Sequence, residues 1–500
     1  MQNFLNIAIV FSAQYKIFYQ ELIANLKREN PKRCIYVYVL DRTQLDFVSK
    51  NFDTSLLEDV IFYPNFSGSF DEFSDLSRDQ KISKIQDFEK FFNCSANSLL
   101  VVDRHFGRGY SPGGFFHAKA AKIFQYGYMD AIYSHINVLN FFKDEIFSKK
   151  LNLFIGGSSL VVKACEITKI PYRGLVSARF ENRYAWCVDQ YWSNPLIKLE
   201  FDAIDDSEIT KGADIERYYE SKRYRSMHLA RQDRITWLIK AVIVILVRFF
   251  RNSLRKKSRT SGQYLLLEQI LFAVRRYLGR KCLRSERFCM PLSGAPERYI
   301  FYPLQTEPEA TLQAFSPEFF FQHTLIVMLS KATPFDLPVL VKETFLAAGR
   351  RPKNFYAQLM DLLNVSFLDM NEEGVEVVKK ATIVCTISGT AGIEAALMGK
   401  PVLNFGQHNC YDFLDHSISV RKFNDVETGI QNALAIDAEK AKRDGLKFQE
   451  ALRRATFDMQ GFSSTASNNI SQKAIGDCLK MLGVSLAPAS VRSDIKNEEN

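Results

Sequence analysis

Residues 383 to 406 run IVCTISGTAGIEAALMGKPVLNFG, and few folds accommodate such a run. An apolar stretch leads into the turn Ser388-Gly389-Thr390-Ala391-Gly392, helix formers follow as far as Gly399, and a second apolar stretch begins after Pro401. Strand, turn, helix and strand in that order predict a βαβ unit, whose parallel strands need a crossover helix. The small residues of the turn let a phosphate approach the backbone, where free N–H groups at the positive end of the helix dipole stabilise its charge. Ser388 and Thr390 add hydroxyl donors. Glu394, one turn into the helix, is placed either to accept a ribose or sugar hydroxyl or to complement the helix dipole. Many α/β proteins carry such a turn without a phosphate, so the surrounding segments decide its meaning.

The same alternation recurs along the chain. Short β-rich runs at residues 6–10, 34–40, 99–103, 151–155 and 172–176 alternate with helical patterns, and the alternation returns at 299–304, 338–342, 365–368, 383–387 and 401–405. Five hundred residues exceed what one core holds, since single cores stop growing at roughly 250 to 300 residues. The expected organisation is an α/β chain of two Rossmann-like domains, residues 1–204 and 295–485, with a basic helical insert at 205–294 and a polar, frayed tail at 486–500. Two strands of the first half end in loops, Asp103-Arg104-His105-Phe106-Gly107-Arg108-Gly109 and Gly156-Gly157-Ser158-Ser159. Loops at the carboxyl ends of parallel strands face the ligand crevice.

Charge is distributed unevenly. The chain carries 65 Lys and Arg against 56 Asp and Glu, yet residues 221 to 287 alone hold eighteen basic residues against three acidic ones. A positive charge confined to one segment implies a local anionic partner. Within it, Trp237 to Phe250 predicts an amphipathic helix, with Asp233, Lys240, Arg248, Arg251 and Arg255 on one side and Ile235, Leu238, Ile239, Val242, Leu246 and Phe249 on the other. Such a helix lies in an anionic lipid interface or packs on its own protein, and the pattern alone does not separate the two. Nucleic acid is not expected, because long aliphatic runs interrupt the charges and no recognition motif is present. No run approaches the roughly 18 apolar residues of a membrane span, and the apolar start reads as a first strand rather than a signal peptide. Nine cysteines, an odd number without a Cys-x-x-Cys pair, fit a reducing compartment. The expected location is therefore the cytoplasm, at the inner face of the cell membrane.

Three segments, in order, make the second half similar to the bacterial capsule polysaccharide biosynthesis family, GT-B-fold glycosyltransferases that include retaining β-Kdo transferases. They are Gln305-Thr306-Glu307-Pro308-Glu309-Ala310-Thr311, Lys342-Glu343-Thr344-Phe345 followed by Gly349-Arg350-Arg351, and Thr386 to Gly399. Ser177-Ala178-Arg179-Phe180-Glu181-Asn182-Arg183-Tyr184 adds a weaker match in the first half. One departure stands out: where the family has Lys-Pro-His-Pro or Lys-Glu-His-Pro, this chain has Lys342-Glu343-Thr344-Phe345 and so lacks the histidine.

The resemblance implies a GT-B-like enzyme moving a sugar, such as Kdo from CMP-Kdo, from a nucleotide donor to a lipid-linked or growing glycan, with no cofactor beyond the donor substrate. Glycosyl transfer passes through an oxocarbenium-like state that a carboxylate stabilises, while cations and helix N-termini stabilise the departing phosphate. Glu309 matches the family's acid and is the expected catalytic carboxylate, with Glu307 beside it; both would otherwise be solvated loop residues. Lys342, Arg350 and Arg351, with Ser388, Gly389, Thr390, Ala391, Gly392 and Glu394, are expected to hold the donor. His105 and Arg104, with Arg179 and Arg183, are the acceptor-side residues. No His, Cys, Asp or Glu group has metal-ligand spacing, so no metal is expected. Two other readings remain open: a degenerate glycan-binding or assembly partner in the same pathway, and a sugar-nucleotide epimerase of similar fold.

Overall fold

The computed structural model describes residues 3–64, 76–101, 128–209, 234–254, 266–283, 288–307, 309–316, 318–319, 321–344, 347–348, 351, 354–459 and 470–487. They form two compact α/β units, the first of residues 3–96, 128–208 and 450–487, the second of residues 97–101 and 209–449. Both are Rossmann-like, as the alternation implies. The strands are β1 (Asn6–Val10), β2 (Cys34–Val39), β3 (Asp59–Phe62), β4 (Leu153–Ile155), β5 (Tyr172–Ser177), β6 (Arg183–Cys187), β7 (Ile300–Pro303), β8 (Val339–Lys342), β9 (Val365–Leu368), β10 (Ile383–Thr386), β11 (Val402–Asn404), β12 (Ser417–Ser419) and β13 (Phe457–Asp458).

In the first unit the described strands run in the order β13-β6-β5-β4-β1-β2-β3. β1 to β5 are parallel; at one edge β6 pairs antiparallel with β5, and β13 pairs antiparallel with β6. One expected strand is corrected: Leu99 to Val101 lie in the helix Ala96–Val101, started where the Glu89 carboxylate accepts the Ala96 N–H at 2.8 Å. A short Leu-Leu-Val-Val run does not distinguish strand from helix by period, and the local cap decides here. The far edge of the sheet is β3, whose half-exposed, charge-flanked residues gave no strand signal.

The domain boundaries also need correcting. Residues from Glu450 onward were expected in the second domain, yet they are built into the first unit. Ile475, Cys478, Leu479 and Leu482 of the helix Gln472–Leu486 share a core with Phe18, Leu22 and Leu26 of the helix Lys16–Glu29. Polar bonds fix this placement: the Trp186 indole donates to the Cys478 carbonyl at 2.9 Å, and Arg173 donates to the Ser485 hydroxyl at 2.8 Å. The basic helices Ile235–Leu254 and Leu266–Leu283 belong to the second unit instead of forming a separate body. Leu283 is buried with Ala348 and Met370 of that unit. The tail beyond residue 487 lies outside the described residues.

The second sheet is parallel throughout its described strands, in the order β12-β11-β10-β7-β8-β9. Its four inner strands are almost fully buried, as expected of a parallel sheet covered on both faces. β10 therefore lies inside the sheet, between β11 and β7, and its carboxyl end opens into the Ser388–Gly389 turn.

Candidate functional site

The site forms at the carboxyl ends of β7, β8, β10 and β11, where the three matched segments of the second half meet. The helix Thr390–Leu397 begins after Gly389, as the run 383–406 implies. Gln305, just past β7, reaches this turn: with its amide oriented to satisfy its neighbours, it accepts the N–H groups of Ser388 at 3.1 Å and Gly389 at 2.5 Å and the Ser388 hydroxyl at 3.2 Å. The Gly389 N–H also donates to the Thr386 hydroxyl at 2.9 Å. Two N–H groups of the turn are thus already occupied. Those of Thr390 and Ala391, at the first two helical positions, have no acceptor within the helix and are the ones available to an anion. Gly392 is set by packing, since a Cβ there would lie 2.1 Å from the Tyr411 hydroxyl and 2.6 Å from the Thr386 methyl.

The segment carrying Glu307 and Glu309 crosses over this turn. It leaves β7 on one side of β10, and the helix Ala310–Phe315 ends on the other side, where the Ser316 hydroxyl donates to the Phe405 carbonyl at 2.7 Å and the Gln407 N–H to the Phe315 carbonyl at 2.8 Å. Glu309, half-buried, is the residue from which that helix starts, and its own side chain does not cap it. Gln322 secures the start of the crossing: its amide oxygen accepts the Gln305 N–H at 2.6 Å, and its amide nitrogen donates to the Gln305 carbonyl at 3.0 Å and to Glu307 at 2.5 Å.

Arg351 was expected to meet a phosphate, but the structure assigns it elsewhere. Its guanidinium is buried, bonded to both Glu343 oxygens at 2.8 and 3.0 Å and to the Gln305 carbonyl at 2.6 Å, and paired with Glu307 at 3.2 Å. Burial opposes the charge, but the Glu343 and Glu307 carboxylates outweigh it, so the group is held ionised beyond its ordinary range. Tyr356 donates to Glu343 at 2.8 Å. Glu307 is accordingly part of this ion-pair network, not a second carboxylate beside Glu309 in the open site. Arg350 lies outside the described residues.

Lys342 ends β8 with its amine largely enclosed. Burial holds its pKa below the ordinary lysine value, and the nearby charges of Glu343, Asp369, Glu372 and Glu394 counter that effect. Glu394 is itself buried. The structure thus brings the expected Lys342 and Glu394 within electrostatic reach of each other. Thr344, standing where the resembled family has histidine, serves as a turn residue: its N–H donates to Glu343 at 2.8 Å and its carbonyl accepts the N–H groups of Ala347 and Ala348.

On the acceptor side the expectations divide. Arg183, half-buried, clamps the returning C-terminal segment through Nε and Nη2, donating to the Thr456 hydroxyl at 2.7 Å and to the Thr456 and Arg453 carbonyls at 2.6 and 2.5 Å, a structural role that the sequence did not reveal. Arg179 sits in the turn between β5 and β6 at φ +55°, with its guanidinium 5.7 Å from the Trp192 ring. His105 and Arg104 lie outside the described residues. In the other first-unit loop, Gly156 and Gly157 take φ +77° and +117° and lead into the helix Ser159–Thr168.

A cluster not anticipated from sequence closes the β11 side. Asp412 accepts from the Asn404 amide and from the Asn409 N–H at 3.0 Å, Asn409 donates to Asn404 at 2.8 Å, and Arg421 stands 3.6 Å away. Burial pushes the Asp412 carboxyl up to about 6 despite these donors. The one available signal was Asn404 at the carboxyl end of a buried strand, the position Thr386 holds on β10. No group of three or more His, Cys, Asp or Glu side chains suited to a metal occurs among the described residues.

His416 anchors the far end of the helix Thr390–Leu397, its Nε2 3.0 Å from the Ala396 carbonyl, which fixes the neutral tautomer with the proton on Nε2. Burial holds its pKa below the ordinary 6.5. The unfolded chain therefore binds a proton below pH 6.5 that the folded unit resists, so this contribution to stability is complete above 6.5 and is lost as the pH falls below it. Asp412 acts with the opposite sign, gaining stability as the pH falls from about 6 towards 3.8. The difference between wild type and His416→Gln isolates the histidine: the variant's unfolding midpoint is expected to fall less on acidification from neutral pH, measured by thermal melts across a pH series.

No protein-family profile matches the chain, and no curated protein matches it in sequence. Among solved structures it is similar to the β-Kdo 2,7 transferase KpsC of Thermosulfurimonas dismutans, at 12 % identity and a TM-score of 0.33, over 68 % of this chain and 88 % of that one. It is also similar to the calicheamicin glycosyltransferase CalG4, at 11 % and 0.28 over 97 % and 100 %, and to a UDP-GlcNAc 2-epimerase of Neisseria meningitidis, at 11 % and 0.25 over 90 % and 97 %. Likenesses this distant leave the functional reading to the residues themselves.

Proposed function

We propose that the second unit binds a nucleotide sugar and that the protein is a glycosyltransferase. The observation that supports this most is the Gln305 bridge, which ties the start of the segment leading to Glu309 to the turn at the N-terminus of the helix Thr390–Leu397. A carboxylate for the anomeric centre and donors for the departing phosphate then belong to one strand-end site. In this reading the Thr390 and Ala391 N–H groups and the Thr390 hydroxyl hold the phosphate, Lys342 supplies charge, and Glu394 accepts a hydroxyl of the ribose or sugar. Arg351 does not touch the donor. It fixes Glu307, and with it the direction in which the chain approaches Glu309. Glu309 stabilises the oxocarbenium-like state or attacks it, and Arg179 remains the acceptor-side cation. Kdo from CMP-Kdo as donor and a surface glycan as acceptor rest on the resemblance of the three segments.

The test is a binding and turnover screen of CMP-Kdo and common UDP-, GDP- and TDP-sugars, comparing wild type with Glu309→Gln. The expected result is one donor that binds both proteins and is consumed about 10²-fold more slowly by the variant. If no nucleotide sugar binds, the phosphate turn is misassigned; if the variant turns over normally, Glu309 is not the carboxylate. The replacement of the family's histidine by Thr344 favours a second reading, a glycan-assembly partner that has lost catalysis, and donor binding without turnover in the wild type would select it.

A further inference from the structure

The helix Ile235–Leu254 is apolar over more of its circumference than its neighbours cover. Leu238, Val242, Ile245, Leu246 and Phe249 are half-buried, and Trp237 lies 5.8 and 5.7 Å from the guanidiniums of Arg276 and Arg280 on the helix Leu266–Leu283. Ile235, Ile239, Ile243, Val247 and Phe250 are each more than half exposed. Ile235 and Ile239 thus lie on the apolar side that the sequence implies, at the part of it that no neighbour covers. At 3.6 residues per turn the exposed five form one continuous stripe next to the packed face. Exposed Lys240 and Arg251 border the stripe on its other side, with Arg248 beyond them. The second helix repeats the pattern, with Leu267, Leu271 and Leu278 exposed in line with exposed Arg275.

We propose that this helix pair is a docking surface for an anionic phospholipid membrane, with the apolar stripe entering the acyl boundary and the cations meeting lipid phosphates. Apolar residues over half exposed along a helix of about 30 Å are costly in water and useful in a lipid interface. No described helix is long and apolar enough to cross a membrane, so the pair would lie in the interface plane. Within the two helices seven Lys and Arg stand against one acidic residue, Glu268, and supply the complementary charge. A nucleic acid would use the cations but has no use for the aliphatic stripe between them. The proposal is independent of the glycosyl-transfer reading, since docking needs no donor.

The test is co-sedimentation of the full chain with vesicles of phosphatidylcholine alone and of equimolar phosphatidylcholine and phosphatidylglycerol. Binding is expected to the second only and to weaken as salt screens the charges. Two double variants at exposed positions, Ile239→Glu with Ile243→Glu and Lys240→Glu with Arg251→Glu, are each expected to bind about tenfold or more weakly with an unchanged circular dichroism spectrum. Failure of the wild type to sediment with anionic vesicles would overturn the proposal, as would double variants that bind like wild type. Two further results would do the same: duplex DNA binding that survives loss of the isoleucines, or a lipid-free dimer in analytical ultracentrifugation that either double variant dissolves.

Discussion

Replacing Arg351 by methionine is expected to cost the second unit about 3–5 kcal/mol, the usual penalty for removing one partner of a buried ion pair. The guanidinium bonds both oxygens of Glu343, pairs with Glu307 and caps the Gln305 carbonyl. Methionine fills much of the same volume but leaves the enclosed Glu343 and Glu307 carboxylates without the guanidinium they share. Urea denaturation should show the loss as a lower midpoint, and adding Glu343→Gln should return part of it by removing one of the stranded charges. The same variant tests the site, because Glu307 and Gln305 hold the segment that leads to Glu309. A loss below about 1 kcal/mol would place the pair in the solvent-screened class and remove Arg351 from the positioning role.

Gly399→Ala is expected to be comparably damaging, at about 3 kcal/mol, although it adds one methyl group. Gly399 follows the motif helix in the left-handed region, at φ +68°. A Cβ there would lie 2.4 Å from the Ala441 carbonyl oxygen and 2.5 Å from the Ala441 carbonyl carbon and the Lys442 Cα. Those atoms are the backbone of the helix Ala438–Ala455, which cannot move aside as a side chain does. Left-handed strain adds about 1 kcal/mol. Gly374→Ala is the control: a Cβ at that helix-start position meets nothing within 4 Å, so little change is expected. Thermal unfolding of the two variants beside wild type separates backbone collision from the general effect of adding alanine. The glycine of the Glu-Ala-Ala-Leu-Met-Gly-Lys run therefore answers to packing and not to chemistry.

The parts of this protein legible in its sequence are those whose physics is local. The run 383–406 declares strand, turn, helix and strand because period, small residues and breakers all fall within 24 neighbouring positions. It also places Ser388 to Gly392 at a helix start and Lys342 at a strand end, since each belongs to one short element. The strand at Leu99 failed because four apolar residues carry no period, and Glu89, on the preceding helix, settled the matter with a cap.

What needed the tertiary structure were the partners. Arg351 looks like a phosphate ligand until Glu307, 44 residues away, and Glu343 are seen to neutralise it, and Arg183 looks like an acceptor cation until Thr456 takes it. An amphipathic helix states that it has an apolar face without stating what covers it, which is why the segment after Glu450 was assigned to the second unit while its core lies in the first. The helix Ile235–Leu254 shows the same division within one element. Its amphipathic pattern is in the sequence, but only packing decides which apolar residues a neighbour covers and which are left for another surface, because burial belongs to the pair of surfaces and not to either one.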